Sequence, residues 1–237
     1  MLYLIGLGLN LHGISSEGLE TAKRCKKLYL ENYTVDFTYT RDELETFIGK
    51  KIESVDREFV EGLEFIDEAD KKDVALLVYG SPLTATTHIA ILDECEKSGI
   101  KYKVIYAGSV FDAVAECGLQ LYKFGKVTSM PAWKKSFEPD SFMEVVKENE
   151  SIGAHSLILI DIGLDFPNAF EQLEKAAKIH KVQLKKLIVC QQLGIRTKFL
   201  YRTLEETREF TGVKKPYCII IPGKLHEMEK EFLENFK

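Results

Sequence analysis

The stretch Val74–Gly80, VALLVYG, constrains the fold of this chain more than any other. An apolar run without alternation makes a strand covered on both faces, and a glycine ends it. Such a strand belongs to a parallel sheet flanked by helices. Neighbouring segments fit that setting. Leu2–Leu7 reads as a strand, Leu28–Glu31 and Ile52–Val55 as shorter ones, and YKVIYA (Tyr102–Ala107) as another. The segment after Ser15 and Ser16 carries Glu17 and Glu20 early and Lys23, Arg24, Lys26 and Lys27 late, which complements a helix dipole. Phe59, Leu63 and Ile66 recur at helical spacing, and a further helix is expected from about Thr84 to Ser98, stopped by Gly99. Ser109-Val-Phe-Asp112 reads as a capping box with Val110, Ala113, Val114 and Cys117 as the apolar stripe behind it. Strands alternating with helices predict a mostly parallel sheet.

The rhythm changes over Tyr122–Asp140, which holds two prolines and the only tryptophan. Two α/β domains are expected, 1–125 and 126–237, and 237 residues suffice for both cores. The second contains SLILID, a helix opened by Pro167 and Asn168 with Glu171 as capping partner, then KLIVC and YCIIIPG. A closing helix carries Leu225, Phe232 and Phe236.

A net charge of −5 supplies no basic field for nucleic acid or anionic lipid, so neither is an expected partner. The five cysteines are scattered and form no C-x-x-C pair, as buried thiols of a reducing cytoplasm would be. No leader, membrane span or metal site is expected.

Three strand ends could carry chemistry. In LYLIGLGLNL the glycines Gly6 and Gly8 open a G-x-G, but Leu11 stands where a dinucleotide fingerprint has its third glycine. A tight turn is the plainer reading of that pair. In VYGSPLTATTH, Thr84, Thr86 and Thr87 are either helix caps or ligand contacts. In YAGSVFDA, Ser109 reads as a cap whose neighbouring backbone could also meet a ligand. A fourth stretch, YCIIIPGKLH, ends in Lys224 and His226. His88 and His226 read either as a base or as histidines satisfied locally, so no catalytic residue is assigned. None of the three glycine-broken ends is phosphate-like. Together they suit an adenosine ligand without phosphates, for which S-adenosylmethionine is the candidate.

The order YLIGLGL, GLETAKRC, YLENYT, GSPLTATTH, YKFGK and IIPGKLH resembles the diphthine synthases of the shorter, archaeal-like type, within the tetrapyrrole methylase superfamily, from residue 2 to about 227. The resemblance implies two α/β domains, S-adenosylmethionine in the cleft between them, and a homodimer. It implies methylation of the amino group of a 3-amino-3-carboxypropyl-modified histidine in translation elongation factor 2. Carried over by motif, the cofactor contacts are Leu9, Ser81, Thr84, Ser109 and Val110, then Ile160, Leu193 and Tyr217 from the second domain. Tyr33, Tyr122, Phe124 and Trp133 are candidate aromatic faces for a trimethylammonium product. The same fold could instead methylate a corrin or porphyrin precursor, or bind the cofactor without catalysis. One position departs from the family: glycine-aspartate-proline is replaced by Gly80-Ser81-Pro82, which trades a charge-assisted contact for a weaker hydroxyl one.

Overall fold

The computed structural model describes residues 1–236. Its contacts divide the chain into two units, Met1–Asp112 and Ala113–Lys237.

The first unit runs β1 (Leu2–Gly6), α1 (Ser16–Arg24), β2 (Lys27–Glu31), α2 (Arg41–Ile48), β3 (Glu53–Val55), α3 (Arg57–Gly62) and α4 (Phe65–Lys71). It continues through β4 (Val74–Val78), α5 (Ile89–Ser98), β5 (Tyr102–Ile105) and α6 (Val110–Ala113). Its five strands are all parallel, in the order β3-β2-β4-β1-β5. Every residue of β4 is buried, as its unbroken apolar run requires. Two apolar clusters hold this sheet. Leu4, Leu76 and Ile91 belong to one, and Ile5, Leu77 and Leu44 to the other. Neighbouring β1 and β4 continue in opposite directions across the sheet, to β2 and to β5, so their carboxyl ends lie at a topological switch point.

Several boundaries differ from the sequence reading, each for a local reason. The segment holding Phe59, Leu63 and Ile66 is two helices, because Leu63 turns left-handed at φ +62°. The helix expected from Thr84 starts only at Ile89, because Ala85 stands at φ +56°. A left-handed alanine costs about 1–2 kcal/mol, which the surrounding bonds must offset.

The second unit comprises β6 (Thr128–Met130), α7 (Ser141–Ser151), β7 (Ser156–Ile160), α8 (Phe166–His180) and β8 (Lys186–Gln191). After these come β9 (Lys198–Thr203), α9 (Leu204–Glu209), β10 (Tyr217–Ile221) and α10 (Glu227–Leu233). Its sheet is mixed, in the order β6-β7-β10-β8-β9. Strand β10 is antiparallel to both β7 and β8. The helix at Pro167 is capped by Asp165, whose carboxylate accepts from the Asn168 N–H at 2.9 Å. Glu171 instead pairs with Lys175 at 2.7 Å. All five cysteines are buried and free.

Candidate functional site

The three glycine-broken loops of the first unit meet at the carboxyl ends of β4, β1 and β5. Gly8 and Gly80 exchange both backbone hydrogen bonds, at 3.1 and 2.9 Å. A Cβ on Gly6 would stand 2.7 Å from the Gly80 carbonyl oxygen and 2.9 Å from Ala107 Cβ, so only glycine lets the strand ends close together. Gly8 lies at φ +68°, and a Cβ there would strike Gly13 at 2.6 Å. Gly13 folds the turn back against Gly8 two residues before Ser15 caps α1. Leu9 sits on that turn, and its carbonyl accepts the Tyr79 hydroxyl at 2.7 Å.

The loop after β4 is built around one carbonyl. Pro82 O accepts the Thr86 hydroxyl at 2.8 Å and His88 Nδ1 at 2.8 Å. Ser81 is buried, and its carbonyl accepts the Thr84 N–H at 3.0 Å. His88, 2% exposed, directs Nε2 at Glu31 Oε2 across 2.5 Å. Both ring nitrogens are engaged, so this histidine is not poised to take a substrate proton. Burial opposes its charge, but the Glu31 carboxylate and the Pro82 carbonyl outweigh it, and the His88 pKa stands above its ordinary value of 6.5.

The loop after β5 is closed by Asp112, whose carboxylate accepts the Ser109 N–H at 2.7 Å and the Ser109 hydroxyl at 2.8 Å. Ser109 Oγ in turn accepts from the Phe111 N–H at 3.2 Å. The serine is a cap, as its spacing to Asp112 implies, and Val110 begins α6 beside it. Residues 7–11, 80–87 and 106–111 contain no lysine or arginine. Such a setting suits ribose, an adenine edge and a sulfonium, and lacks the cations a phosphate would meet.

Ile160, Leu193 and Tyr217 come to one end of the second sheet. Ile160 closes β7, Tyr217 opens β10 opposite Gln191, and Leu193 follows β8 in a turn. That turn is held by the Gln192 N–H donating to Pro216 O at 2.8 Å. The Tyr217 ring packs edge-on against Phe166 at 5.7 Å, and its hydroxyl donates to Leu164 O at 3.2 Å. Its side chain therefore belongs to the core.

The remaining family motifs build a polar hub in this unit. Glu229, 1% exposed, accepts the N–H groups of Gln120 at 3.0 Å and His226 at 2.7 Å. It also receives Lys123 Nζ, and His155 Nε2 at 3.2 Å. His155 Nδ1 accepts the Gly223 N–H at 2.9 Å. The backbone N–H groups, Lys123 and His155 outweigh the burial of Glu229 and hold its pKa down to about 2. Burial, partly offset by Glu229, holds His155 below its ordinary value. At Gly125 a Cβ would fall 2.1 Å from Asn149 Oδ1, which accepts the Lys126 N–H at 3.0 Å. YKFGK and PGKLH thus knit the scaffold together, and His226 caps α10.

The proposed aromatic faces are dispersed. Phe124 stacks edge-on against His155, Trp133 donates Nε1–H to Pro139 O, and Arg57 covers the Tyr33 ring. Tyr122 is 82% exposed. Sequence reasoning missed Gly13, Tyr79 and Glu31. Gly13 alone left a signal, as a glycine ahead of a serine cap. Among the described residues no cluster of three or more His, Cys, Asp or Glu could hold a metal, and no helix is long and apolar enough to cross a membrane.

Comparison with known proteins gives a consistent answer. Residues 1–207 match the family model "Tetrapyrrole (Corrin/Porphyrin) Methylases". Diphthine methyl ester synthase 2 of Candida albicans is 37% identical, over 100% of this chain and 89% of its own. Diphthine synthase of Methanocaldococcus jannaschii is also 37% identical, over 99% and 98%. A crystal structure of diphthine synthase superposes with a TM-score of 0.91 at 31% identity, covering 99% of this chain and 95% of that one.

Proposed function

The chain belongs to the tetrapyrrole (corrin/porphyrin) methylase family, and we propose that it is an S-adenosylmethionine-dependent methyltransferase of diphthamide biosynthesis. Similarity along the whole chain to a diphthine synthase and a diphthine methyl ester synthase supports the pathway. The observation that carries cofactor use is the closure of three cation-free loops around the Gly8–Gly80 bridge at the switch point. S-adenosylmethionine, when bound, supplies an electrophilic methyl on a sulfonium.

What the protein contributes is position. Leu9, Ser81, Thr84, Ser109 and Val110 would hold the cofactor at the strand ends of the first unit, and the motif resemblance also carries Ile160, Leu193 and Tyr217 as contacts. The backbone groups and hydroxyls of these loops would hold the ribose and amino-acid parts, and the orientation they impose would favour an in-line methyl transfer. The acceptor is the modified histidine side chain of elongation factor 2, and its ammonium gives up a proton to water before attack. We place the enzyme in the cytoplasm as a homodimer of two-domain chains.

The Candida relative's name favours a second acceptor, the carboxylate of the same side chain, because an ester forms only on a carboxyl oxygen. Labelled S-adenosylmethionine incubated with modified elongation factor 2 decides both questions. Label that enters the factor and resists mild alkali supports amine methylation. Label released by alkali as methanol supports the ester. Label passing only to a porphyrinogen overturns the pathway in favour of a tetrapyrrole acceptor.

A further inference from the structure

His88 and Glu31 form a buried pair whose proton content is fixed by geometry. Pro82 O can only accept, so His88 Nδ1 must carry hydrogen to sit 2.8 Å from it. Nε2 lies 2.5 Å from Glu31 Oε2, too close for two lone pairs to face each other. A proton therefore lies between ring and carboxylate. The other carboxylate oxygen, Glu31 Oε1, accepts the Thr34 hydroxyl. Glu31 Oε2 makes no aligned hydrogen bond among the described residues, and its contact with the His88 ring is an ion pair by distance. Glu31, at the end of β2, is the charged group facing His88, and the Tyr33 hydroxyl lies within the field of Glu31 in turn.

The pair acts on the loop that carries Ser81 and Thr84. Within it Ala85 stands at a left-handed φ of +56°, a conformation that persists only if neighbouring bonds impose it. Thr86 and His88 impose it by converging on the Pro82 carbonyl. We propose that His88 and Glu31 are positioning residues, a proton-dependent latch that keeps the 81–87 loop in its cofactor-binding shape and releases it when the shared proton is lost. Once that proton leaves for solvent, the single remaining ring hydrogen cannot serve both Pro82 O and Glu31. Either the loop loses its His88 bond or a buried carboxylate loses its partner. The inference rests on the reading of this loop as a cofactor site.

Two measurements on the full chain test it from about pH 6 upward. One is hydrogen-exchange protection of the 84–87 amides, corrected for the intrinsic pH dependence of exchange. The other is calorimetric affinity for S-adenosylmethionine. With rising pH the wild type should lose loop protection and about tenfold in affinity, the scale of one hydrogen bond to a charged group. Glu31→Gln should abolish both slopes, because its amide donates to a neutral His88 Nε2 and leaves Nδ1–H on Pro82. His88→Phe should lower protection at every pH; if it does not fold, Glu31→Gln carries the test. Flat wild-type profiles, or a Glu31→Gln profile as steep as wild type, overturn the latch. Wild-type protection that titrates without any cofactor binding keeps the latch and overturns the cofactor reading.

Discussion

His88 in the first unit and His155 in the second each direct Nε2 at a buried glutamate, yet their other nitrogens face opposite partners. Nδ1 of His88 meets a carbonyl, which only accepts, whereas Nδ1 of His155 meets the Gly223 N–H, which only donates. The first ring is thereby driven toward a shared extra proton and the second toward a neutral tautomer. One backbone atom sets the sign. The same side-chain pair thus holds a loop in one unit and braces a scaffold in the other, where Glu229 has three further donors.

The largest test of this contrast makes one substitution in both places. Glu229→Gln leaves Lys123 without its carboxylate and should cost about 3–5 kcal/mol in denaturant unfolding. Glu31→Gln keeps an acceptor for Thr34 and gains a donor for His88, and should cost about 1 kcal/mol. Equal losses would break the comparison.

Acidity separates the pairs next. The Glu229 pKa stands near 2 against an ordinary 4.5, so its contribution, about 3 kcal/mol, is complete above 4.5 and disappears as pH falls toward 2. His155, held below 6.5, adds to acid loss from that point downward, because the unfolded chain takes up a proton that the folded one refuses. His88, held above 6.5, contributes fully below that value and loses its share as pH rises through its folded pKa. Thermal scans across pH should find the second unit's contribution failing in acid and the first unit's in base.

Smaller effects stay within the first unit's loop. Ser81→Asp restores the family's acid and should tighten S-adenosylmethionine binding by about ten- to a hundredfold, equivalent to about 1.5–3 kcal/mol. Unchanged affinity by calorimetry would show that an acid at position 81 makes no charge-assisted contact with the cofactor. Thr86→Val deletes the second donor to Pro82 O and should weaken binding by a few-fold, about 1 kcal/mol, without changing its pH slope.

What the sequence made legible follows from where its information is local. VALLVYG declared a doubly covered strand, and the spacing from Ser109 to Asp112 declared a cap, because periodicity and short-range donors determine both. The late start of α5 was hidden. Thr84–Thr87 looks like a first helical turn until Pro82 O gathers two donors from beyond it and leaves Ala85 left-handed. Strand β9 was hidden in KFLYRT, whose flanking charges mask a buried centre. Glu31 closes an apolar strand, and only the fold shows that it ends against His88. Motif resemblance supplied Tyr217 as a contact without showing that its ring faces the core.

The buried thiols turn the two units into their own reporters. Cys25 and Cys95 lie in the first, and Cys117, Cys190 and Cys218 in the second. Burial, the leading cause in each case, raises the pKa of Cys25, Cys95 and Cys117 to about 11, so an alkylating reagent finds little thiolate in the closed state. Labelling followed by peptide mapping would therefore time the opening of each unit separately, with no engineered dye or tag.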